Sequence, residues 1–198
     1  AYSIQADEQG VVVRFGTYNT TVSPGLHFKL PIIDQVYKVK TSKQFVEEFG
    51  FRTVKPGKRT KFSNTYEEES WTLTNDLSVA DVKWQVQYII SNPKDYSFNV
   101  RNVESTIRDI SESAMRKIVG LRPFDKVIKE GRQNISQEVR KLMQDKLDRL
   151  GCGISIKMVQ LQAVLPPSIV MDAYNQVARA LQSMEKVINE AERDSSLK

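Results

Sequence analysis

The chain has 198 residues, of which 40% are hydrophobic and 27% charged; this balance excludes wholesale disorder and fits one domain of ordinary size plus an extension. Its formal net charge of +5 is modest, so charge alone does not identify an anionic partner. No run of about twenty apolar residues occurs, which excludes a membrane-spanning helix within this sequence.

The first part of the chain predicts short strands separated by turns. Residues 10–16, bounded by glycines, form a β-rich run, and the Ser-Pro-Gly sequence at 23–25 forms a turn. That turn leads into a strand over 26–30, which Pro31 ends. A third strand is predicted at residues 36–39.

Residues 55–69 are polar and turn-prone, which predicts an exposed loop that is basic first and acidic last. Its basic side chains are candidate contacts to anionic lipid or to an acidic partner. They are Lys55, Lys58, Arg59 and Lys61. A solvated surface patch is the alternative. Nucleic-acid binding is disfavoured, because Glu47 and Glu48 interrupt the basic residues gathered between 38 and 61.

Residues 82–90 alternate between apolar and polar side chains over their whole length. The apolar set is Val82, Trp84, Val86, Tyr88 and Ile90. This alternation predicts a long, half-buried antiparallel strand that forms the spine of a sheet. Residues 71–73 lead into it through a hairpin turn at 74–76.

After residue 93 the apolar period changes from that of strands to that of helices. A helix is predicted over 103–120, with Gly120 as its C-cap. A short helix follows at 125–129, and a longer one runs from Ile135 to Leu150.

The strand predicted after these helices has an apolar phase that slips by one residue. Ile154, Ile156 and Met158 alternate first, and Val159, Leu161 and Ala163 continue in the other phase. A slip of this kind predicts a β-bulge, or a strand that bends from one surface to another.

The last predicted helix, over residues 166–192, carries two apolar lines. The first advances in alternating steps of three and four, which is typical of a coiled-coil seam. It contains Val170, Ala173, Val177, Ala180, Met184, Val187 and Ala191, and the second contains Tyr174, Leu181 and Ile188. So wide an apolar face needs covering on more than one side. We therefore expect an oligomerisation element; the alternative is a terminal helix folded back on its own domain.

The order of elements predicts an α+β fold: strands, then helices, then one returning strand, then the last helix. We expect one domain over residues 1–165. Residues 166–198 would be the start of an oligomerisation helix that the end of the sequence truncates.

The sequence offers few residues around which an active site is built. No Gly-x-Gly-x-x-Gly or phosphate-loop pattern occurs. His27 and Cys152 are the only residues of their types, so neither a multi-histidine metal site nor an internal disulfide is possible. The glutamates at 67–69 diverge in an extended segment and make no metal site. We expect no enzymatic activity and no cofactor, although serine, lysine and carboxylate chemistry stays open.

Two opening segments resemble the start of the SPFH domain, also called the band 7 or prohibitin homology domain. They are residues 8–16 (EQGVVVRFG) and 23–31 (SPGLHFKLP). Later segments are similar to the HflK-like branch of that family: 73–77 (LTNDL), 86–88 (VQY), 92–96 (NPKDY), 112–116 (ESAMR), 159–162 (VQLQ) with the prolines at 166 and 167, and 188–192 (INEAE). The resemblance covers essentially the whole chain.

This resemblance implies a scaffold at a bacterial inner membrane. HflK-like proteins carry one membrane-spanning helix before an SPFH domain on the periplasmic side. With an HflC-like paralogue they form cage-like assemblies that enclose and modulate the FtsH AAA protease. This chain would then follow a missing anchor that holds it to membrane lipids, with residues 11–15 and 26–30 near the bilayer. The alternatives are a stomatin- or prohibitin-like scaffold of lipid microdomains without a link to FtsH, or a protease.

Overall fold

The computed structural model describes the backbone of residues 1–55, 61–63, 67–129 and 132–196, and the side chains of 1–53, 69–128 and 132–193. The strands are β1 (Tyr2–Ile4), β2 (Glu8–Arg14), β3 (Thr17–Val22), β4 (Gly25–His27), β5 (Asp34–Lys40), β6 (Phe45–Phe49), β7 (Arg52–Lys55), β8 (Lys61–Ser63), β9 (Trp71–Leu73), β10 (Val79–Ile90) and β11 (Ile154–Leu165). The helices are α1 (Glu67–Ser70), α2 (Pro93–Phe98), α3 (Val103–Gly120), α4 (Phe124–Lys129), α5 (Arg132–Leu150) and α6 (Met171–Ser196), with a 3-10 turn at Ser168–Val170.

The N-terminal strands form a small sheet in the order β3-β2-β5, and β1 pairs with β4 beside it. All pairings are antiparallel. The strands predicted at 10–16 and 36–39 are confirmed as β2 and β5, except that β2 ends at Arg14 and residues 15 and 16 form a turn. The strand predicted over 26–30 is wrong beyond its start, because β4 ends at His27 and the next residues turn toward β5. Phe28 and Leu30 are exposed in that turn.

The central sheet has β10 as its middle strand, as the alternation of residues 82–90 predicts. β11 pairs along one edge of β10, while β6 and β9 share the other. The even-numbered residues of β10 from Ala80 to Ile90 are buried. At the centre, Trp84 stacks on Phe49 with ring centroids 4.7 Å apart, and its Nε1 donates to Ser111 Oγ at 2.9 Å.

The three helices predicted between residues 103 and 150 are confirmed as α3, α4 and α5. The predicted C-cap is wrong by one position: Gly120 is the last helical residue and Leu121 is the cap. The buried faces of α3 and α5 join the inner face of β10 and β11 in one hydrophobic core. That core includes Ile107, Met115, Val139 and Met143.

The predicted β-bulge is confirmed in β11, where the pairing with β10 shifts register twice. The first shift leaves Lys157 without an opposite residue in β10, because Tyr88 pairs with Ile156 and Gln87 with Met158. Met158 is therefore exposed instead of continuing the buried phase of Ile156. The second shift passes over Gln162, so Val164 is buried in place of the predicted Ala163.

The exposed loop predicted over residues 55–69 is wrong for the part that the structure describes. β7 and β8 pair as a hairpin, and α1 follows them. Glu69, predicted in the exposed acidic end, is only 31% exposed and forms ion pairs with Arg52 and Arg108 at 3.1 and 3.3 Å. Sequence patterns could not show these contacts, since Arg108 lies 39 residues further along the chain.

Removing the hydroxyl of Ser111 tests the centre of this core. Ser111→Ala leaves the buried Trp84 N–H without its partner, which costs about 1–3 kcal/mol of unfolding free energy. Urea unfolding measures the loss. Ser113→Ala is the matched control, because Ser113 is an exposed serine of the same helix. An equal effect of the two substitutions would contradict the importance of the Trp84 hydrogen bond.

Candidate interaction surfaces

The last helix exposes its first predicted apolar line and, beyond Tyr174, its second. α6 follows the buried prolines Pro166 and Pro167 and the 3-10 turn. On the first line Val177 is 60% and Met184 57% exposed. The other members of the predicted seam, Val170, Ala173, Ala180, Leu181, Val187 and Ile188, are exposed as well. In this structure α6 is therefore not folded back over its own domain.

The base of α6 is the part that contacts the domain. Tyr174 packs edge-to-face against Phe124 of α4, with ring centroids 5.8 Å apart. A mostly apolar cavity of about 480 Å³ lies beside this contact. Trp71 and Val79 of the central sheet line one side of the cavity, and Ile169 lines another. These contacts fix where the helix leaves the domain and leave its further turns bare.

A second exposed apolar surface lies at the turns of the N-terminal sheet; we call it the apolar tip. Its members are Phe15, Leu26, Phe28, Leu30 and Ile32. Phe15 and Ile32 have φ angles of 52° and 73°, which are unfavourable for residues with a Cβ and most unfavourable for a β-branched one. Phe15 N donates to Ile33 O at 3.3 Å, so the two turns are adjacent.

One ion pair holds the two turns of the apolar tip together. Arg14 donates from Nε and Nη2 to the two carboxylate oxygens of Asp34, at 2.8 and 3.1 Å. Asp34 Oδ2 also accepts the Leu30 N–H at 2.9 Å. The Asp34 side chain is 3% exposed, whereas that of Arg14 is 42% exposed. The hydrogen bonds from Arg14 and Leu30 hold the pKa of Asp34 below its usual value, although burial opposes them.

A polar cluster holds the base of the β7–β8 hairpin against α3. Arg108 contacts Glu47 at 3.1 Å and Glu69 at 3.3 Å, and its guanidinium lies 4.8 Å from the centre of the Phe49 ring. Glu69 also pairs with Arg52, whose Nη1 donates to Glu48 O at 2.6 Å. These contacts tie the start of β7 and the end of α1 to α3.

The basic contact residues predicted on this hairpin stay a prediction. Lys58 and Arg59 lie outside the described residues, and the side chains of Lys55 and Lys61 do as well.

Few side chains among the described residues are arranged as catalytic or metal-binding groups usually are. No group of three or more His, Cys, Asp or Glu side chains within them is placed to hold a metal ion. His27 Nε2 lies 2.7 Å from Ser23 O, in the strand position predicted for it. Cys152 is buried in the core, and burial raises the pKa of its thiol. A thiol in that setting is a poor nucleophile.

Among the helices described, none combines the length and the apolar character needed to cross a membrane.

The geometry defines an α+β domain in which two groups of exposed apolar side chains stand out, one along the terminal helix and one at the turns of the N-terminal sheet. The chain belongs to the SPFH domain / Band 7 family, whose profile matches residues 2–195. The predicted family and fold class are thereby confirmed.

Several similar proteins carry the name HflK. The chain is 41% identical over 189 residues to Protein HflK of Treponema pallidum and 31% identical over 194 residues to Protein HflK of Borreliella burgdorferi. It is 30% identical over 191 residues to the Escherichia coli K12 protein named Modulator of FtsH protease HflK. These matches cover 94%, 98% and 96% of this chain but 58%, 62% and 41% of the respective relatives.

The apolar tip is the surface that sequence patterns did not single out. Phe15 and Leu30 were predicted as strand residues, and nothing in the alternation marks them as exposed. The usable signal was the turn chemistry: Gly16 follows Phe15, and Pro31 lies between Leu30 and Ile32. Large apolar residues inside turns have no strand face on which to be buried.

Lowering the pH should weaken the ion pair between Arg14 and Asp34 that joins the two turns of the apolar tip. Because the folded pKa of Asp34 is lowered, its ion pair stabilises the domain above the unfolded-state pKa of about 3.9 and loses that contribution as the pH falls through the folded pKa. Asp34→Asn should therefore lower the melting temperature at neutral pH, and its difference from wild type should shrink below about pH 4. Thermal unfolding across this range measures both effects.

The control for this titration is Asp109→Asn, which removes an exposed carboxylate on α3. It should leave the melting temperature near that of wild type throughout. A difference between wild type and Asp34→Asn that does not depend on pH would argue against the ion pair.

Proposed function

We propose that this chain is the SPFH domain and stalk base of a membrane-associated oligomeric scaffold. With an HflC-like partner it encloses an FtsH-type AAA protease at the bacterial inner membrane and modulates the protease's access to substrates. The name of the Escherichia coli relative supports the link to FtsH. In this proposal a single membrane-spanning anchor precedes the domain, which lies on the periplasmic side. The chain itself is not an enzyme.

The observation that carries the proposal is the bare apolar face of α6. Burial of apolar surface is worth about 25 cal/mol per Å², and this helix does not obtain that gain from its own domain. Its two lines, one through Val177 and Met184 and one through Leu181 and Ile188, face solvent side by side. A helix with two such lines is covered when it stands between two neighbouring helices, as in a closed wall of stalks. Tethering to one membrane supplies the effective concentration for that packing.

The apolar tip supports the membrane-facing side of the proposal. Phe15 and Ile32 are exposed on turns, with Lys29 and His27 nearby in sequence. Isolated apolar side chains on turns suit the interfacial layer of a bilayer better than a flat protein partner, because they enter lipid without requiring a shaped pocket. This agrees with the placement near the bilayer that the family resemblance implies for residues 11–15 and 26–30.

Aspartate on the seam should abolish assembly. Val177→Asp with Met184→Asp places two charges on the first apolar line, where neighbouring stalks would bury them at a cost of several kcal/mol. Chemical cross-linking of the chain expressed behind a membrane-spanning helix should show large rings for wild type and none for this variant. Gln182→Asp with Asn189→Asp, on the polar face of α6, adds the same charge and should assemble normally. Rings that persist in the seam variant would refute the wall of stalks.

Charges on the apolar tip should weaken membrane binding. Phe15→Asp with Ile32→Asp removes two side chains, each worth about 1.5–3 kcal/mol when buried, so partitioning should fall by about tenfold or more. Flotation with vesicles of phosphatidylethanolamine and phosphatidylglycerol measures it. The control is Leu121→Asp, an exposed apolar residue away from the tip. Equal flotation of the tip variant and wild type would exclude tip insertion.

The same assay separates the two candidate membrane contacts. Neutralising Lys55, Lys58, Arg59 and Lys61 should lower flotation only when the vesicles contain anionic lipid, whereas the tip variant should lose binding to neutral vesicles too.

Incubating the chain with unfolded protein and no added protease tests the competing hydrolase hypothesis. Appreciable cleavage would contradict the scaffold.

A further inference from the structure

A groove of about 820 Å³ runs between α5 and β11, on the side of β11 that faces away from β10. Arg140 and Lys141 line it from the helix, and Lys157 lines it from the strand. Asp145 is the one carboxylate among the lining residues. The groove therefore presents three cations from two opposite walls against a single negative charge.

The strand edge inside this groove is already paired with side chains of α5. Gln144 donates from Nε2 to Ile154 O at 3.0 Å and accepts from Ile156 N at 2.8 Å. The side-chain amide of Gln144 thus takes the place of a neighbouring parallel strand. The backbone N–H and C=O of one residue of such a strand would make the same two bonds with Ile154 and Ile156. The β-bulge at Lys157 then breaks the regular edge. A ligand in this stretch is consequently not recognised by adding a strand to the sheet.

Recognition in the groove falls instead to its side chains. Lys141 and Lys157 are exposed, and the bulge turns the apolar Met158 outward beside them, 44% exposed. No aromatic ring is among the lining residues, so nucleic-acid bases have nothing to stack on. Met158 is the only exposed large apolar residue of the lining, which is too little for a lipid surface.

We propose that this groove is a docking site for an acidic, extended segment of a partner protein. Carboxylates of the segment pair with Lys141 on the helix side and with Lys157 on the strand side, next to Arg140, whose Nη1 donates to Lys157 O at 3.5 Å. An apolar side chain of the segment rests on Met158, and a basic one pairs with Asp145. The proposal does not depend on the seam of α6, because the groove lies entirely within the domain.

The test uses a short fluorescein-labelled peptide of alternating glutamate and leucine, with a lysine-leucine peptide as the reverse-charge probe. The acidic probe should bind the wild-type chain more tightly by fluorescence anisotropy, and its affinity should fall as salt rises. Lys141→Glu with Lys157→Glu should weaken that binding by about tenfold or more, since both walls are reversed. Lys186→Glu with Arg179→Glu, on exposed positions of α6, makes the same change in net charge and should leave binding intact.

Three results would overturn the proposal. The first is equal binding of the acidic and basic probes to wild type. The second is equal weakening by the groove variant and the α6 variant, which would mean that net charge alone attracts the probe. The third is a single-stranded DNA oligonucleotide that binds as tightly as the peptide and loses affinity in the groove variant, which would make the groove a general polyanion site. Unchanged thermal unfolding of the groove variant, whose substituted residues are exposed, confirms that it remains folded.

Discussion

The contact of Trp84 with Phe49 and Ser111 is the constraint on which the rest of the domain depends. Stacking on Phe49 fixes the register of β6 against β10, and the hydrogen bond to Ser111 fixes α3 over the sheet. Phe49 in turn lies beside Arg108, which binds Glu47 and Glu69. One buried aromatic pair thus determines the position of a helix, a strand and, through Arg108, the base of the β7–β8 hairpin.

The domain completes its hydrophobic core without α6. The core draws on β10, β11, α3 and α5, and its last member along the chain is Val164. Beyond the contact of Tyr174 with Phe124 at the base of α6, the apolar residues of this helix are therefore not used by the core of the domain. This division bears on the proposed scaffold, because assembly through α6 would leave the hydrophobic core of the domain unchanged. The prolines at 166 and 167 mark the point where the two parts meet.

Patterns that depend on neighbours in sequence predicted most of the fold. The alternation of β10 and the helical periods of α3 and α5 are local, so the first identified the buried residues of β10 and the second identified the two helices. The bulge of β11 was predicted as well, but only pairing with β10 shows that Lys157 is the extra residue and that Met158 turns outward. The spacing of apolar residues also predicted the two apolar lines of α6. It does not predict which surface covers them.

What the sequence could not show depends on long-range contacts and on backbone conformation. The ion pairs of Glu69 join α1 to residues in β7 and α3, so a run of glutamates was read as an exposed loop. The pairing of Arg14 with Asp34 spans 20 residues and converts two turns into one surface. Likewise, the predicted strand over 26–30 failed because the turn that ends at Asp34 needs Leu30 for its hydrogen bonds.

The described non-glycine residues with positive φ are Phe15, Ile32 and Leu77, and each is a large apolar residue at an exposed turn. A left-handed conformation costs such residues roughly 1–2 kcal/mol each, and exposure denies them any gain from burial within the chain. Leu77 precedes Ser78 and Val79, which line the cavity at the base of α6, whereas Phe15 and Ile32 belong to the apolar tip. Two of the three strained residues thus lie on the apolar tip, and the third lies in the turn just before the cavity at the base of α6. In the scaffold proposed above, contact of the apolar tip with lipid would offset the strain at Phe15 and Ile32.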